Sequence, residues 1–483
     1  MLNSLFGTSC VRKCVIAPMA ALLLSACMVG PDYRRPEIDV PPAWRVSDNE
    51  AARISNIAWW DQFEDPVLSS LVRVALANNK DLQIATANVD QAVAQYGIVR
   101  SAQFPEVNAG ASATRSRLSS STGTAAPGGH AFNAYSVSLS ASFELDVWGR
   151  LRRASESARA SLLASEQGKG TVVLTVVATV ATGYIQLLAL DRQLEIARRT
   201  SDSLGEAAHL QRIRFEEGAV PESDYRQAES QFEEAAARVP EFERQIAQQE
   251  NFISVLVGRN PGPIARGRDI DTLLFPAVPD GLPASLLERR PDVRQAEENL
   301  VAANADIGVA KAAYYPDISL TGLFGLESGQ LSDLFKGPAR TWQFGAGLLQ
   351  PIFNAGRIDS QVARAEALQR QALYTYERSI ISAFQDVDNA LIDRVKFAQV
   401  REEQTKNVAA LRRFRDLADL RYREGATIYL EVANAEQSLF VAQLAYVATQ
   451  SQLFQSYANL YKAMGGGWVD DAEKLTARTG PPS

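Results

Sequence analysis

The sequence predicts an α+β membrane protein in which one helix–strand–strand–helix–helix unit occurs twice. Three observations support this prediction. Similar motifs recur at two constant offsets, short segments alternate between apolar and polar residues, and two long stretches contain almost no helix-breaking residue. Alternation with period two is typical of strands that separate two environments. Long stretches free of glycine and proline are typical of helices.

Internal repetition is the first of these signals. Residues 81–85 resemble residues 292–296 at an offset of 211, and residues 214–219 resemble residues 421–426 at an offset of 207. The decrease of four in the offset indicates one loop that differs in length between the two halves. The predicted organisation is a signal peptide (1–26), a lipidated N-terminal and equatorial segment (27–80), a first repeat (81–258), an equatorial connector (259–290), a second repeat (291–464) and a tail (465–483).

Each repeat is predicted to contain a β-hairpin. Residues 131–147 show the clearest strand pattern, with apolar side chains at every second position and serine or acidic residues between them. Residues 342–348 repeat the pattern more weakly, and the preceding strands are expected near 105–118 and 316–327. Strands of about ten residues with two different faces suit a tilted membrane barrel. The edge of a soluble sandwich fits the same alternation.

The helices are predicted to be long and paired. Between Arg357 and Met464 the single glycine is Gly425, and no proline interrupts the stretch. This pattern predicts a hairpin that turns at Gly425, with arms of about 68 and 38 residues, or roughly 100 Å and 57 Å at 1.5 Å per residue. The first repeat predicts the same turn at Gly218. Helices of this length are expected to line something elongated.

The uncharged segment from Thr171 to Leu190 is long enough to cross a bilayer. Its partner at the offset of 207, residues 378–397, contains Asp386, Asp393 and other charged residues. If both repeats fold alike, a bilayer span is the wrong interpretation of this position. We therefore predict a helix that is buried against neighbouring helices.

Four membrane strands cannot close on themselves, because every backbone group in lipid needs a partner and about eight strands is the small end of the barrel range. The chain therefore requires copies of itself. Two copies supply eight strands and three supply twelve. The residues alone do not choose between these numbers.

The N-terminus has the features of a lipoprotein signal. Arg12 and Lys13 precede a short apolar core, and Leu24-Ser25-Ala26-Cys27 has the form of a lipobox, with Cys27 as the site of lipid attachment. An ordinary signal peptide with an incidental cysteine is the weaker alternative, because no cysteine follows Cys27. Met28 stands where an aspartate would often signal inner-membrane retention, so the outer membrane is the expected destination.

Composition excludes other classes of protein. Loss of the two basic residues in the signal changes the formal net charge from −7 to −9, and an acidic chain without a basic patch is a poor nucleic-acid binder. His130 and His209 have no metal-ligand neighbour at helical spacing, and no nucleophile elbow or phosphate loop is present. We expect no enzyme activity, no metal and no cofactor other than the lipid on Cys27.

Several motifs, in this order on a duplicated frame, resemble the TolC-like outer-membrane factor family. Within that family they resemble the lipidated branch that works with resistance-nodulation-division efflux pumps. The motifs are Gly30-Pro31-Asp32-Tyr33, Trp59-Trp60-Asp61-Gln62-Phe63-Glu64-Asp65-Pro66, Leu287-Glu288-Arg289-Arg290-Pro291-Asp292 and Pro351-Ile352-Phe353-Asn354-Ala355-Gly356-Arg357.

This resemblance implies a homotrimer with a 12-stranded β-barrel in the outer membrane, continuous with a long α-helical barrel in the periplasm. It implies the exit channel of a tripartite efflux pump, which conducts drugs or other small molecules passively. The implied partners are a periplasmic adaptor protein, an inner-membrane resistance-nodulation-division pump and outer-membrane lipid. The exit channel of a type I protein secretion system and a non-channel coiled-coil lipoprotein scaffold are the alternatives.

The resemblance also implies where function resides. The two helix turns form the periplasmic tip, with adaptor contacts at Gly218, Ala219, Val220, Gly425 and Ala426. Glycine at these positions also fits a simple helix cap.

A gate is implied next to these turns. Tyr422 is expected to hydrogen-bond Asp224 between neighbouring helix pairs, with Ser223 and Thr427 where another member of the lock can lie. A solvated surface pair is the alternative. Glu431 and Asn434 match positions that face the pore at its narrowest point. Glu431 would then form a ring of three carboxylates that favours cations.

Overall fold

A computed structural model describes residues 28–37, 58–117, 131–276 and 289–466. The predicted signal peptide and Cys27 lie outside these residues. By its contacts the chain divides into two compact units, and each unit contains segments of both repeats. One unit carries the strands, and the other carries both helix turns.

Eleven helices and strands follow one another in the described chain. They are α1 (Pro66–Asn78), α2 (Lys80–Ser101), β1 (Glu106–Ser116), β2 (Phe132–Glu144), α3 (Arg150–Glu216), α4 (Glu222–Leu256), α5 (Pro291–Ala312), β3 (Asp317–Ser328), β4 (Arg340–Leu349), α6 (Arg357–Arg423) and α7 (Tyr429–Ala463). Short 3₁₀ helices lie at Trp59–Phe63, Leu331–Asp333 and Gly337–Ala339.

The lengths of the helices confirm the duplication. Helices α2 and α5 each have 22 residues, α3 and α6 each have 67, and α4 and α7 each have 35. The predicted long hairpins therefore exist in both repeats. One difference is Pro240 inside α4, because the equivalent position in α7 is Val447. A proline within a helix removes one backbone hydrogen bond.

The strands form one antiparallel sheet in the order β1-β2-β3-β4. Each predicted hairpin is present, and β2 also pairs with β3, so the sheet joins the two repeats. Strands β1 and β4 each have one edge that is not paired within the described chain. The predicted count of four strands is confirmed, while the pairing between repeats was not predicted.

The long apolar segment of α3 lies in a protein core. Among the described residues, α3 is the one helix that is long and apolar enough to cross a membrane, and 72% of its most apolar window is buried inside the protein. Val177, Tyr184 and Ile185 are fully buried in a cluster that also contains Trp59 and Phe63. The prediction that this segment is a buried helix is confirmed.

The Trp59–Phe63 helix anchors this core. Trp59 stacks on Tyr461 with ring centroids 5.2 Å apart. Asp65 is buried and accepts hydrogen bonds from the amides of the first turn of α1 and from the Tyr184 hydroxyl at 3.1 Å. Burial holds the pKa of Tyr184 well above its ordinary value, so the phenol keeps the proton that it donates to Asp65. The Trp–Trp motif thus has a packing role.

Candidate functional site

The sheet has one apolar and one polar face, and neither is packed against a core. The register places Leu139, Phe324 and Trp342 in one row across three strands, and Phe344 lies two residues further along β4 on the same face. The exposed fraction is 69% for Trp342 and 75% for Phe344. Exposed apolar surface of this extent indicates contact with another apolar phase.

The opposite face of the sheet is polar. It carries side chains that alternate with the apolar ones, listed here as Asn108, Ser112, Thr114, Ser136, Ser138, Ser140, Ser319, Thr321 and Gln343. Ser112 and Ser136 lie 2.8 Å apart across the first hairpin. A sheet that is apolar on one side and polar on the other, with both sides exposed, separates two solvents.

The segment from Met28 to Glu37 is fixed beside the first hairpin. The amide of Val29 donates to the carbonyl of Trp148 at 3.1 Å, and the side chain of Asn304 donates to the carbonyl of Pro31 at 2.9 Å. Gly30 lies so close to Gly308 that a Cβ on Gly30 would be 2.4 Å from the Gly308 Cα. The residue that follows Cys27 therefore lies near the end of β2.

Arg153 holds the same segment and was missed by sequence reasoning. Its side chain is 2% exposed, and it pairs with Asp32 at 2.6 Å and with Glu156 at 2.8 Å. In sequence, an arginine among polar helix residues resembles a surface residue. The sequence offers no local signal for this pair, because the buried charge that needs a partner is Arg153, whereas Asp32 is 87% exposed.

The two helix turns have the same backbone. Gly218 and Gly425 adopt left-handed conformations, with φ of +73° and +72°. The amide of Gly218 donates to the carbonyl of Phe215 at 2.9 Å, and the amide of Ala219 donates to the carbonyl of Arg214 at 2.7 Å. The equivalent amides at the second turn make the same two bonds. Glycine is required because its conformation is strained for any residue with a Cβ.

The predicted tip residues are accessible. Gly218, Ala219, Gly425 and Ala426 are exposed, and Val220 is partly exposed. A Cβ on either glycine would meet nothing within 4 Å. Glycine is therefore required at both positions by the backbone conformation and not by a lack of space, because the surroundings of both turns are open.

Tyr422 connects the second turn to the first repeat. Its hydroxyl accepts a hydrogen bond from the Gln211 side chain at 2.6 Å and another from Arg214 at 2.5 Å. The guanidinium of Arg214 also lies over the Tyr422 ring, 5.4 Å from its centroid. Both bonds are accepted, so the hydroxyl keeps a proton that it can donate. Gln211 and Arg214 were not predicted.

Asp224 lies apart from this cluster within the chain. It accepts a hydrogen bond from Ser223 at 3.3 Å, and the hydroxyl of Tyr422 has other partners in the described chain. The predicted bond between Tyr422 and Asp224 is therefore not formed within one copy. A bond between copies stays a prediction. The Tyr422 hydroxyl is suited to it, because it can still donate its hydrogen.

Glu431 and Thr427 lie together, as part of an ion pair that was not predicted. Arg421 approaches one oxygen of Glu431 at 2.6 Å, and the Thr427 hydroxyl donates to the other. Asn434 lies one turn further along α7 and is exposed. A paired glutamate contributes less negative potential than a free one. Arg421 thus lowers the charge that Glu431 would contribute to a pore.

The described residues contain no group of three or more His, Cys, Asp or Glu side chains placed to hold a metal ion. The site therefore consists of a two-faced sheet, a fixed N-terminal segment and two exposed helix turns.

The family model for outer membrane efflux proteins matches this chain twice, over residues 71–259 and 282–466. The chain belongs to the outer membrane efflux protein family. Each match covers one of the two repeats. Curated relatives agree with the family: the "Probable efflux pump outer membrane protein TtgC" of Pseudomonas putida is 35% identical over 460 residues, covering 94% of this chain and 95% of its own.

A second relative is the "Pyoverdine export outer membrane protein OpmQ" of Pseudomonas aeruginosa, which is 36% identical over 470 residues, or 95% of this chain and 98% of its own. Solved structures of outer-membrane channels share the fold. OprN superposes with a TM-score of 0.84 at 30% identity, over 92% of this chain and all of that one. The open state of Neisseria gonorrhoeae MtrE gives 0.81 at 32% identity, over 92% and 99%.

The comparisons confirm the predicted α+β fold and the predicted family. The roles of the individual residues stay predictions. Residues at the turns, the lock between Tyr422 and Asp224, and the ring at Glu431 all require contacts between copies or with partners.

Proposed function

We propose that three copies of this chain form the outer-membrane exit channel of a tripartite efflux pump. The observation that carries the proposal is the sheet, which has two unpaired edges, an exposed apolar face and an exposed polar face. In lipid every backbone group needs a partner. Joining the β1 edge of one copy to the β4 edge of the next satisfies both edges and directs the apolar face to the lipid.

Three copies would give twelve strands around a pore lined by the polar face. Eight strands from two copies would also close, but an eight-stranded interior is filled by side chains. Export of a molecule the size of those named for the relatives, such as toluene or pyoverdine, requires a wider lumen. The trimer also agrees with the family resemblance.

A lipid on Cys27 would anchor each copy beside its own sheet. Met28 follows Cys27 directly and packs against Gly149, just after β2. The hydrogen bonds and ion pairs of residues 28–37 would then hold the acyl chains at the membrane surface around the barrel. Lipidation would add to the apolar contact of the sheet and direct it to the outer membrane.

The duct would be passive, and a pump in the inner membrane would supply the work. The relatives are named for antibiotic, toluene and pyoverdine transport, which is a wide range of chemistry for one architecture. Selection would therefore take place upstream of this chain. A periplasmic adaptor would bind the exposed turns at Gly218 and Gly425 and favour the open state of the tip.

The test is purification of the full chain in detergent, followed by mass measurement and planar-bilayer recording. The proposal expects a particle of three chains and stepwise ion conductance. A single lipidated chain without conductance would contradict the channel and favour a scaffold. If deletion of this protein from the cell removed a secreted protein from the medium and left the sensitivity to small toxic molecules unchanged, the result would favour the type I secretion channel.

A further inference from the structure

A solvent-open cavity lies among α3, α6, α7 and residues 271–275, all within one compact unit. Its volume is about 440 Å³. Small-molecule sites typically enclose about 300–1,000 Å³. The cavity is therefore large enough for a compact organic molecule, and no residue of the two turns or of the strands lines it.

The rim of the cavity is strongly basic. It carries four arginines and one carboxylate, namely Arg192, Arg199, Arg401, Arg412 and Asp271. Arg192 pairs with Asp271 at 3.0 Å and with Glu195 at 2.5 Å, and Glu195 also lies 3.7 Å from Arg199. Two of the four arginines, Arg192 and Arg199, are therefore neutralised by neighbouring carboxylates.

Arg401 and Arg412 provide the excess charge. Neither forms an ion pair with a carboxylate of the described residues, whereas other arginines of α6, such as Arg415 and Arg421, do. Arg401 lies instead over the ring of Phe275, 4.9 Å from its centroid. Two arginines on one helix, without carboxylate partners and on the rim of one cavity, attract an anion.

The wall of the cavity is aromatic and flat. Phe275 stacks on Phe454 with ring centroids 4.2 Å apart and planes inclined by 8°. Phe454 is fully buried, whereas Phe275 is 36% exposed. Buried Ile196 and Val447 complete the apolar lining. Phe454 covers one face of Phe275 and the Arg401 guanidinium covers the other. An apolar body can therefore contact the edge of the Phe275 ring while its charged group meets the arginines.

We propose that this cavity binds a small aromatic anion, a carboxylate or a sulfonate on a ring system. Charge complementarity at Arg401 and Arg412 selects the anion, and the edge of Phe275 with the apolar side chains of Ile196 and Val447 selects the ring system. The proposal does not depend on conduction, because the binding site is formed within one chain.

The experiment is calorimetric titration of the full-length protein in lipid nanodiscs with 2-naphthoate, and with its neutral analogue 2-naphthamide. Arg401→Gln and Arg412→Gln are each expected to weaken 2-naphthoate binding about tenfold, because each removes one positive charge from the lining of the cavity. Phe275→Ala is expected to weaken it similarly. Arg413→Gln is the matched control, because Arg413 is exposed beside Arg412 and does not line the cavity.

Saturable binding of 2-naphthoate that weakens in R401Q and R412Q but not in R413Q supports the proposal, as does weakening with added salt. Partition into the lipid is common to all variants and cancels. No saturable binding by the wild-type protein overturns the proposal. Equal binding of the neutral amide, or equal loss in R413Q, also overturns it. Intact conductance in R401Q and R412Q would show that loss of binding is not loss of the channel.

Discussion

The two helix turns share one backbone but differ in what their side chains contact. In the first repeat, Phe215 stacks on Tyr225 with ring centroids 6.0 Å apart, within its own hairpin. In the second repeat, the equivalent residue of Phe215 is Tyr422, and its hydroxyl is bound by Gln211 and Arg214 of the first repeat. The hydroxyl of Tyr422, which Phe215 lacks, thus allows the second turn to hydrogen-bond the neighbouring hairpin.

The bonds at Tyr422 link the two hairpins, because Gln211 and Arg214 belong to the first and Tyr422 belongs to the second. The stack of Phe215 on Tyr225 lies within the first hairpin, so it can persist when either hairpin shifts as a body. The contacts of the second turn cross to α3, so outward movement of α6 and α7 must break them. If the tip opens by an outward movement of the second hairpin, the hydrogen bonds between Tyr422 and α3 stabilise its closed state.

The largest expected effect is that of Tyr422→Phe, which removes the hydroxyl and keeps the ring. Each lost bond contributes roughly 0.5 kcal/mol, the low end for a partly exposed hydrogen bond. Two bonds in each of three copies that move together total roughly 3 kcal/mol, which shifts the closed–open balance by roughly 100-fold. We expect a corresponding rise in single-channel open probability in planar bilayers. Phe215→Tyr is the control at the equivalent position, and it should leave the open probability unchanged. An equal response of the two variants would refute the asymmetry.

The next effect concerns charge at the second turn. Arg421→Gln removes the partner of Glu431, so the carboxylate regains its full negative potential. We expect cation selectivity, measured from reversal potentials in a salt gradient, to rise about two- to threefold. Glu431→Gln should lower the selectivity. If both substitutions leave the reversal potential unchanged, Glu431 does not line the pore.

The smallest difference between the turns is expected from the glycines. Gly218→Ala and Gly425→Ala each force a Cβ into a left-handed conformation, at a cost of about 1–2 kcal/mol. Because φ is +73° at one glycine and +72° at the other, with open space around both, the two costs should be equal. Thermal unfolding of each variant measures them. A much larger loss in one variant would show that the two turns differ in packing after all.

Much of this architecture was predictable because it repeats. The constant offset of 207 residues located both turns, and the scarcity of glycine and proline fixed the helix ends to within a few residues. The alternation in residues 131–147 predicted both faces of the sheet. Local pattern and repetition are sufficient for such features, since they depend on neighbouring residues only.

The contacts between distant residues were not predictable in this way. Gln211 and Tyr422 are 211 residues apart and meet because two long helices lie side by side. Arg153 and Asp32 are 121 residues apart and belong to different segments. The cavity at Arg401 and Phe275 also combines a helix with an irregular segment. Such pairs depend on how the helices pack, which a single sequence does not specify.

In the proposed barrel, the β1 edge of one copy pairs with the β4 edge of the next, around a ring of three. The most direct measurement is disulfide crosslinking in outer membranes, with a cysteine at Ser112 on β1 combined in turn with a cysteine at each residue of β4. At least one pair is expected to yield a covalent series that ends at three chains under non-reducing conditions. A series that ends at two, a ladder without limit, or no crosslink at any position of β4 would contradict it.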